Sequence, residues 1–360
     1  MILFVVSIIS YYWVETSHIF VRAPYYEEKL AAANWMKAAM DTLRQTQYAR
    51  GVFPDQINDP NLTALIGQQY TQITTDIGDM SDKWTALNPN MAAVFISYFK
   101  EAGLVEDDYV VAGMTGSLPG MNLAFYAACE VMKLKPIVIT SVGASSWGAN
   151  DPYFTWLDME HTLMNRGLLH YRSIAASFGG GEDLGRRLSP EGRELIRLST
   201  QRNDVYLIEV SNLDESVEER IRVIEEYTGG APLKLYVNIG GGLASIGHAS
   251  NGELLPAGLI KRLPLLNYPR RGVLHLLGEK GIPILHIYDT NKLADTFGLP
   301  KTPLNLPKPG EGNLFIQERY NLIVTSVALL LVLATLFIVL IFDRRTQRLD
   351  REGVDPDTLI

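Results

Sequence analysis

Three short stretches gather the residues with which a protein holds an anion or attacks a carbonyl. They are Thr115-Gly116-Ser117-Leu118-Pro119-Gly120, Ser141-Val142-Gly143-Ala144-Ser145-Ser146-Trp147-Gly148-Ala149-Asn150 and Gly240-Gly241-Gly242-Leu243-Ala244-Ser245-Ile246-Gly247. Glycine lets a ligand reach backbone N–H groups, and hydroxyls add donors, so such loops cradle carboxylates or phosphates. Gly116, Ser145, Ser146, Asn150, Gly240, Gly241 and Gly242 are therefore candidate ligand contacts. The first stretch also allows covalent chemistry: Thr115 or Ser117 could attack a carbonyl while neighbouring amides stabilise the oxyanion. Gly113-Met114-Thr115-Gly116-Ser117 sits where a nucleophile elbow would, but it does not spell G-x-S-x-G. A loop of this kind also simply turns and caps the next helix.

A serine nucleophile ordinarily needs a base. His161, His170, His248, His275 and His286 are available, and His248 directly follows the glycine loop, which makes it the candidate base. Asp158 and Glu160 could serve as acid and base, although carboxylates at a helix start also simply favour its dipole. Lys83 is a lone cation among Thr74, Thr75, Thr85 and Asn88, placed to neutralise a bound carboxylate or to sit solvated at the surface. No H-E-x-x-H or similar spacing occurs, so no metal is expected. The glycine triplet is not G-x-G-x-x-G with a downstream acid, so no dinucleotide cofactor is expected either. The single cysteine, Cys129, excludes an internal disulfide and any multi-cysteine metal site.

These loops need a frame that brings them to one rim. Apolar strand-like runs at Tyr109–Met114, Pro136–Thr140, Val205–Val210, Leu233–Ile239 and Ile282–Tyr288 alternate with helical stretches at Met121–Met132 and Asp214–Tyr227. The alternation predicts an α/β fold: a mainly parallel, Rossmann-like sheet with helices on both faces, in three layers. Ligands in such sheets bind beyond the carboxyl ends of the strands, where all three loops leave. Two further helices are expected, over Tyr26–Tyr48 and from Met91 to near Gly103. Ser177–Pro190 reads as a mobile loop and Pro300–Pro309 as a stiff linker.

The ends of the 360-residue chain are different. Leu322–Phe342 carries no charge over a length that suits a bilayer-spanning helix of roughly 20 residues. Met1–Val14 is almost wholly apolar and lacks the basic start and cleavage site of a removable signal, so residues 1–20 are expected to be an N-terminal anchor. Arg344, Arg345 and Arg348 follow the second span, which places the tail, 343–360, in the cytoplasm and the α/β domain, 24–310, outside it. The formal charge of −8 gives nucleic acid no basic surface to bind.

Several segments resemble the bacterial poly-γ-glutamate system protein family. They are Asn58-Asp59-Pro60-Asn61 with Leu65-Ile66-Gly67, Asn88-Pro89-Asn90-Met91-Ala92-Ala93, Gly116-Ser117, the run Ser141 to Asn150, Trp156-Leu157-Asp158-Met159-Glu160, and Asn238-Ile239-Gly240-Gly241-Gly242. The resemblance spans most of the chain in order. It implies a membrane-anchored accessory protein in the bacterial cytoplasmic membrane, working beside the ligase and membrane subunits that make and export poly-γ-glutamate. It also implies glycine as usual at the position of Ala64 and serine at that of Thr115, and it brings no assigned catalytic residues. The expected partners are the polymer, the synthase subunits and the lipid bilayer. Two alternatives stand beside a polymer- or synthase-binding role. One is a Ser/Thr-dependent hydrolase or transferase of γ-glutamyl amides, with Thr115 or Ser117 as nucleophile and His248 as base. The other is a non-catalytic scaffold for the synthase.

Overall fold

The structure, a computed structural model, describes residues 1–351. The chain divides into two compact units, one from Pro24 to Phe315 and the other formed by Met1–Ala23 with the segment from Ile316 onward.

The larger unit is built on a seven-stranded sheet. Its strands are β1 (Tyr109–Thr115), β2 (Lys135–Ser141), β3 (Ser173–Ser177), β4 (Tyr206–Leu207), β5 (Leu233–Ile239), β6 (Gly258–Ile260) and β7 (Ile284–Ile287). Across the sheet they run β4-β3-β2-β1-β5-β7-β6. All neighbours are parallel except the edge strand β6, which is antiparallel to β7. The chain thus steps outward from β1 to β4 and then returns to lay β5 on the other side of β1. The strand order reverses between β1 and β5, which opens a crevice at their carboxyl ends.

The sheet is buried on both faces because successive side chains alternate. Val110, Ala112 and Met114 of β1 join one core, and Val111 joins the other. The first core is covered by α1 (Tyr26–Ala49), α3 (Met91–Glu101) and α4 (Pro119–Met132), with the short α2 (Met80–Ala86) between α1 and α3 in sequence. Small residues along α1, Ala32, Ala33 and Ala39, are fully buried and allow close packing. Phe95, Phe99 and Phe125 meet edge-to-face with centroids 5.9–6.1 Å apart, the geometry that aromatic quadrupoles favour. The second core is covered by α7 (Leu213–Thr228) and α8 (Val273–Glu279), while α5 (Trp156–Asn165) and α6 (Pro190–Arg202) pack near the β3–β4 edge.

Three expectations change. Pro300–Pro309 is not a free linker but a strap on the larger unit. Asn61 Nδ2 donates to the Pro303 carbonyl at 2.7 Å, and Asn90 Nδ2 donates to that of Lys308 at 3.0 Å. The loop from Ser177 to Pro190 is held too, by a bridge between Gly179 and Leu184 and by the burial of Asp183. Val205–Val210 shortens to the two residues of β4.

In the smaller unit, Ile19–Arg22 pairs antiparallel with Ile316–Arg319. Helix Ile2–Thr16 packs on helix Leu322–Arg351, with the small residues Ser10 and Ala328 buried. Among the described residues one helix, Leu322–Arg345, is long and apolar enough to cross a membrane. The N-terminal helix has 15 residues, short of the roughly 20 a span requires. The expected tail 343–360 continues this C-terminal helix to Arg351, and its last nine residues lie outside the described residues.

Candidate functional site

The three loops expected to converge do so. At the crevice between β1 and β5 lies a cavity of about 450 Å3, lined by Thr115, Ser117, Ser141, Gly143, Ser145 and Gly240–Gly242. Parallel register places Thr115 beside Ser141, and Ser141 beside Ser177, so hydroxyls form a row along the carboxyl edge of β1, β2 and β3.

The floor carries Lys83, in the last turn of the short α2 and only 4% exposed. Its Nζ donates to Ser145 Oγ at 2.8 Å and to the Ser117 carbonyl. Burial pushes the ammonium down to about 8, against the opposing pull of Asp82 and Asp79. Ser145 N–H in turn donates to Ser117 Oγ at 2.9 Å, which links the first two loops. Ser145 is fixed along its backbone because Ala144–Ser145 pairs with Thr74–Asp76, and Ser146 N–H donates to the Asp76 carbonyl at 2.9 Å.

Glycines allow this convergence at two contacts. A Cβ at Gly78 would stand 2.5 Å from the Ser146 carbonyl oxygen, 2.9 Å from Ser145 Oγ and 3.1 Å from Lys83 Cε. A Cβ at Gly116 would stand 2.7 Å from the Val142 carbonyl oxygen. Neither position has room for a side chain without moving the loop opposite.

Behind the hydroxyl row lies a buried ion pair. Arg220 Nη2 donates to Asp183 Oδ2 at 2.9 Å, and the two side chains are 4% and 1% exposed. Asp183 Oδ1 accepts from Ser141 Oγ and Ser177 Oγ at 2.9 and 2.7 Å, and Oδ2 accepts from Ser216 Oγ at 2.7 Å. These bonds offset the desolvation of the two charges and tie the β3 loop to the cavity wall.

The remaining sequence candidates sit elsewhere. Glu160 is fully enclosed and accepts from Tyr126 Oη, Trp156 Nε1, and Ser173 Oγ and N–H, at 2.8–3.0 Å. Burial raises its carboxyl, and those four donors pull it back. Asp158 is bound by Arg202 and Asn203 and completes a capping box with Thr155. Burial alone would raise its carboxyl, but the bonds from Arg202 and Asn203 prevail and hold it below the usual range. Both carboxylates anchor α5 and neither lines the cavity. Asn150 and Ser146 also hold structure: Asn150 bonds to both backbone groups of Gln68, and Ser146 bonds to Asp76. Gly116 serves the turn, its N–H donating to the Ser141 carbonyl and its own carbonyl accepting from Ala149 N–H. His248 is exposed, caps a short helix by accepting from Ser250 N–H, and does not line the cavity. No histidine appears among the lining residues.

Sequence reasoning missed the Thr75–Asp79 wall, Tyr288, Arg187 and the Asp183–Arg220 pair. Gly78 between Ile77 and Asp79 was the available signal for the wall. The lining mixes signs, with Lys83 and Arg187 facing Asp76, Asp79 and Asp82, so it suits a ligand with both acceptors and donors better than a bare anion. No known protein family, characterised protein or solved structure matches the chain.

Proposed function

We propose that the Pro24–Phe315 unit binds a γ-linked glutamyl chain in this cavity, as a membrane-anchored accessory subunit of poly-γ-glutamate production or export. The observation that carries this reading is Lys83, a buried cation at the floor of a cavity whose wall includes hydroxyls, glycine peptides, carboxylates and Arg187. A γ-glutamyl unit offers one free carboxylate, one amide carbonyl and one amide N–H. Lys83 answers the carboxylate, Ser117 and Ser145 answer the carbonyl, and Asp79 or Asp82 answers the N–H. The resemblance of the loop sequences to the poly-γ-glutamate system family supports the same ligand. In this reading Leu322–Phe342 holds the domain at the bacterial membrane, with Ile2–Thr16 packed beside it and the domain on the outer side.

Deleting the gene in a producing organism should reduce the amount, length or release of the polymer, and a Lys83→Met allele should fail to restore it. Unchanged polymer in the deletion strain would contradict the proposal.

A further inference from the structure

The cavity holds a second arrangement beyond binding. We propose that Ser145 and Lys83 form a nucleophile–base pair, and that the protein cleaves or transfers acyl groups at amide bonds presented in the cavity. The substrate class, γ-glutamyl amides, rests on the reading of the cavity given above, whereas the pair itself does not.

The geometry sets these two residues apart from the other candidates. Lys83 Nζ stands 2.8 Å from Ser145 Oγ, within the reach that proton transfer requires. Ser145 is half-buried and lines the cavity. The other buried lysine, Lys29, donates to the Leu314 carbonyl. Ser117 Oγ instead accepts the Ser145 N–H, and His248 lies outside the cavity lining, so the structure does not assemble a Ser117–His248 pair. A lysine acts as base only when neutral, and the burial that lowers Lys83 to about 8 leaves a usable neutral fraction near neutral pH. Peptide groups of Gly78, Gly241 and Gly242 line the same cavity, and N–H donors there are what a developing oxyanion needs.

The step balances without any other reagent than water or an amine. In the neutral fraction of Lys83, which no longer pairs as a cation with the ligand carboxylate, Ser145 gives its hydroxyl proton to the amine as Oγ bonds to the amide carbonyl carbon. Collapse of the tetrahedral adduct breaks the C–N bond, and the Lys83 ammonium returns the proton to the departing nitrogen. Water then attacks the ester carbonyl, gives a proton to Lys83, and releases the acid as Ser145 recovers its proton. An amine in place of water completes a transfer.

The test is phosphonylation of the full-length chain in detergent by a fluorophosphonate, which Ser145 attacks with loss of fluoride. The modified peptide is located by mass spectrometry, and hydrolysis of γ-glutamyl oligomers is followed in parallel. Expected are labelling at Ser145 that rises with pH through about 8, and a loss of rate of at least about 100-fold in Lys83→Met. Lys83→Arg keeps the charge but cannot supply a neutral base, so it should lose labelling as well. Absence of labelling at Ser145 across roughly pH 6 to 10, in protein that still unfolds cooperatively, would overturn the pair whether or not polymer binds. Labelling without binding or cutting of γ-glutamyl oligomers would uphold the pair and overturn the polymer reading instead.

Discussion

Lys83 is the residue on which most depends, and its burial has a consequence for stability. The folded chain holds it near 8 and the unfolded chain near 10.5, so between those values the unfolded state binds more protons. Stability therefore rises with pH across that window, by at most about 3 kcal/mol, and is flat in this respect below it. Denaturant titrations of wild type and Lys83→Met from pH 8 to 10.5 should show the wild type gaining relative to the variant. A constant difference would place the lysine in water. Ala64 gives a second test. It is 7% exposed at φ +58, where an L side chain is strained and where the resemblance implies glycine. Ala64→Gly should stabilise the fold by about 0.5–1 kcal/mol, read from the same titrations. At this scale the sequence disclosed half of each contact. Lys83 stood out as a lone cation in a hydroxyl-rich stretch, but its partner lies 62 positions away. Asp158 and Glu160, equally prominent, anchor α5.

Elements explain why the cavity lies where it does. β1, β2 and β5 announce themselves as apolar runs, and the loops that follow them had to share a rim once the strands were parallel. β3 was not legible, because Ser-Ile-Ala-Ala-Ser has neither an apolar run nor clear alternation and is a strand only through its neighbours. The buried Arg220–Asp183 pair was equally hidden, since its members sit on separate elements 37 residues apart. Arg220→Met leaves Asp183 buried without its counter-charge and should cost about 3–5 kcal/mol in thermal or denaturant unfolding, while adding Asp183→Asn should recover part of that loss. An unchanged midpoint in the single variant would mean that water reaches the pair. The strap gives a kinetic test. Asn90 accepts from Gly310 N–H at 3.1 Å and donates to Lys308, so Asn90→Ala should speed proteolytic nicking between residues 300 and 311 without moving the global unfolding midpoint. Unaltered nicking would show that packing alone holds the segment.

The whole molecule sets a condition on the ligand. A chain of charge −8 repels a polyanion over its general surface, so recognition has to be local and to lie where solvent ions screen little. Binding should then change by less than about threefold between 50 and 200 mM salt, unlike the steep loss seen where a basic surface releases counterions. The long C-terminal helix was legible from its unbroken apolar length, whereas its pairing with Ile2–Thr16 was not, because packing of small residues such as Ser10 and Ala328 leaves no mark in hydropathy. The central claim is that Lys83 and the loops around it hold a γ-glutamyl chain. Calorimetric titration of the full-length protein in detergent with poly-γ-glutamate of defined length tests it most directly, with Lys83→Met and poly-α-glutamate as controls. The account predicts saturable binding of the γ-linked polymer, weakened at least about tenfold in Lys83→Met by loss of one buried charged contact and weaker still for the α-linked chain. Equal affinity of wild type and Lys83→Met, or no binding by either while both remain folded, would contradict it.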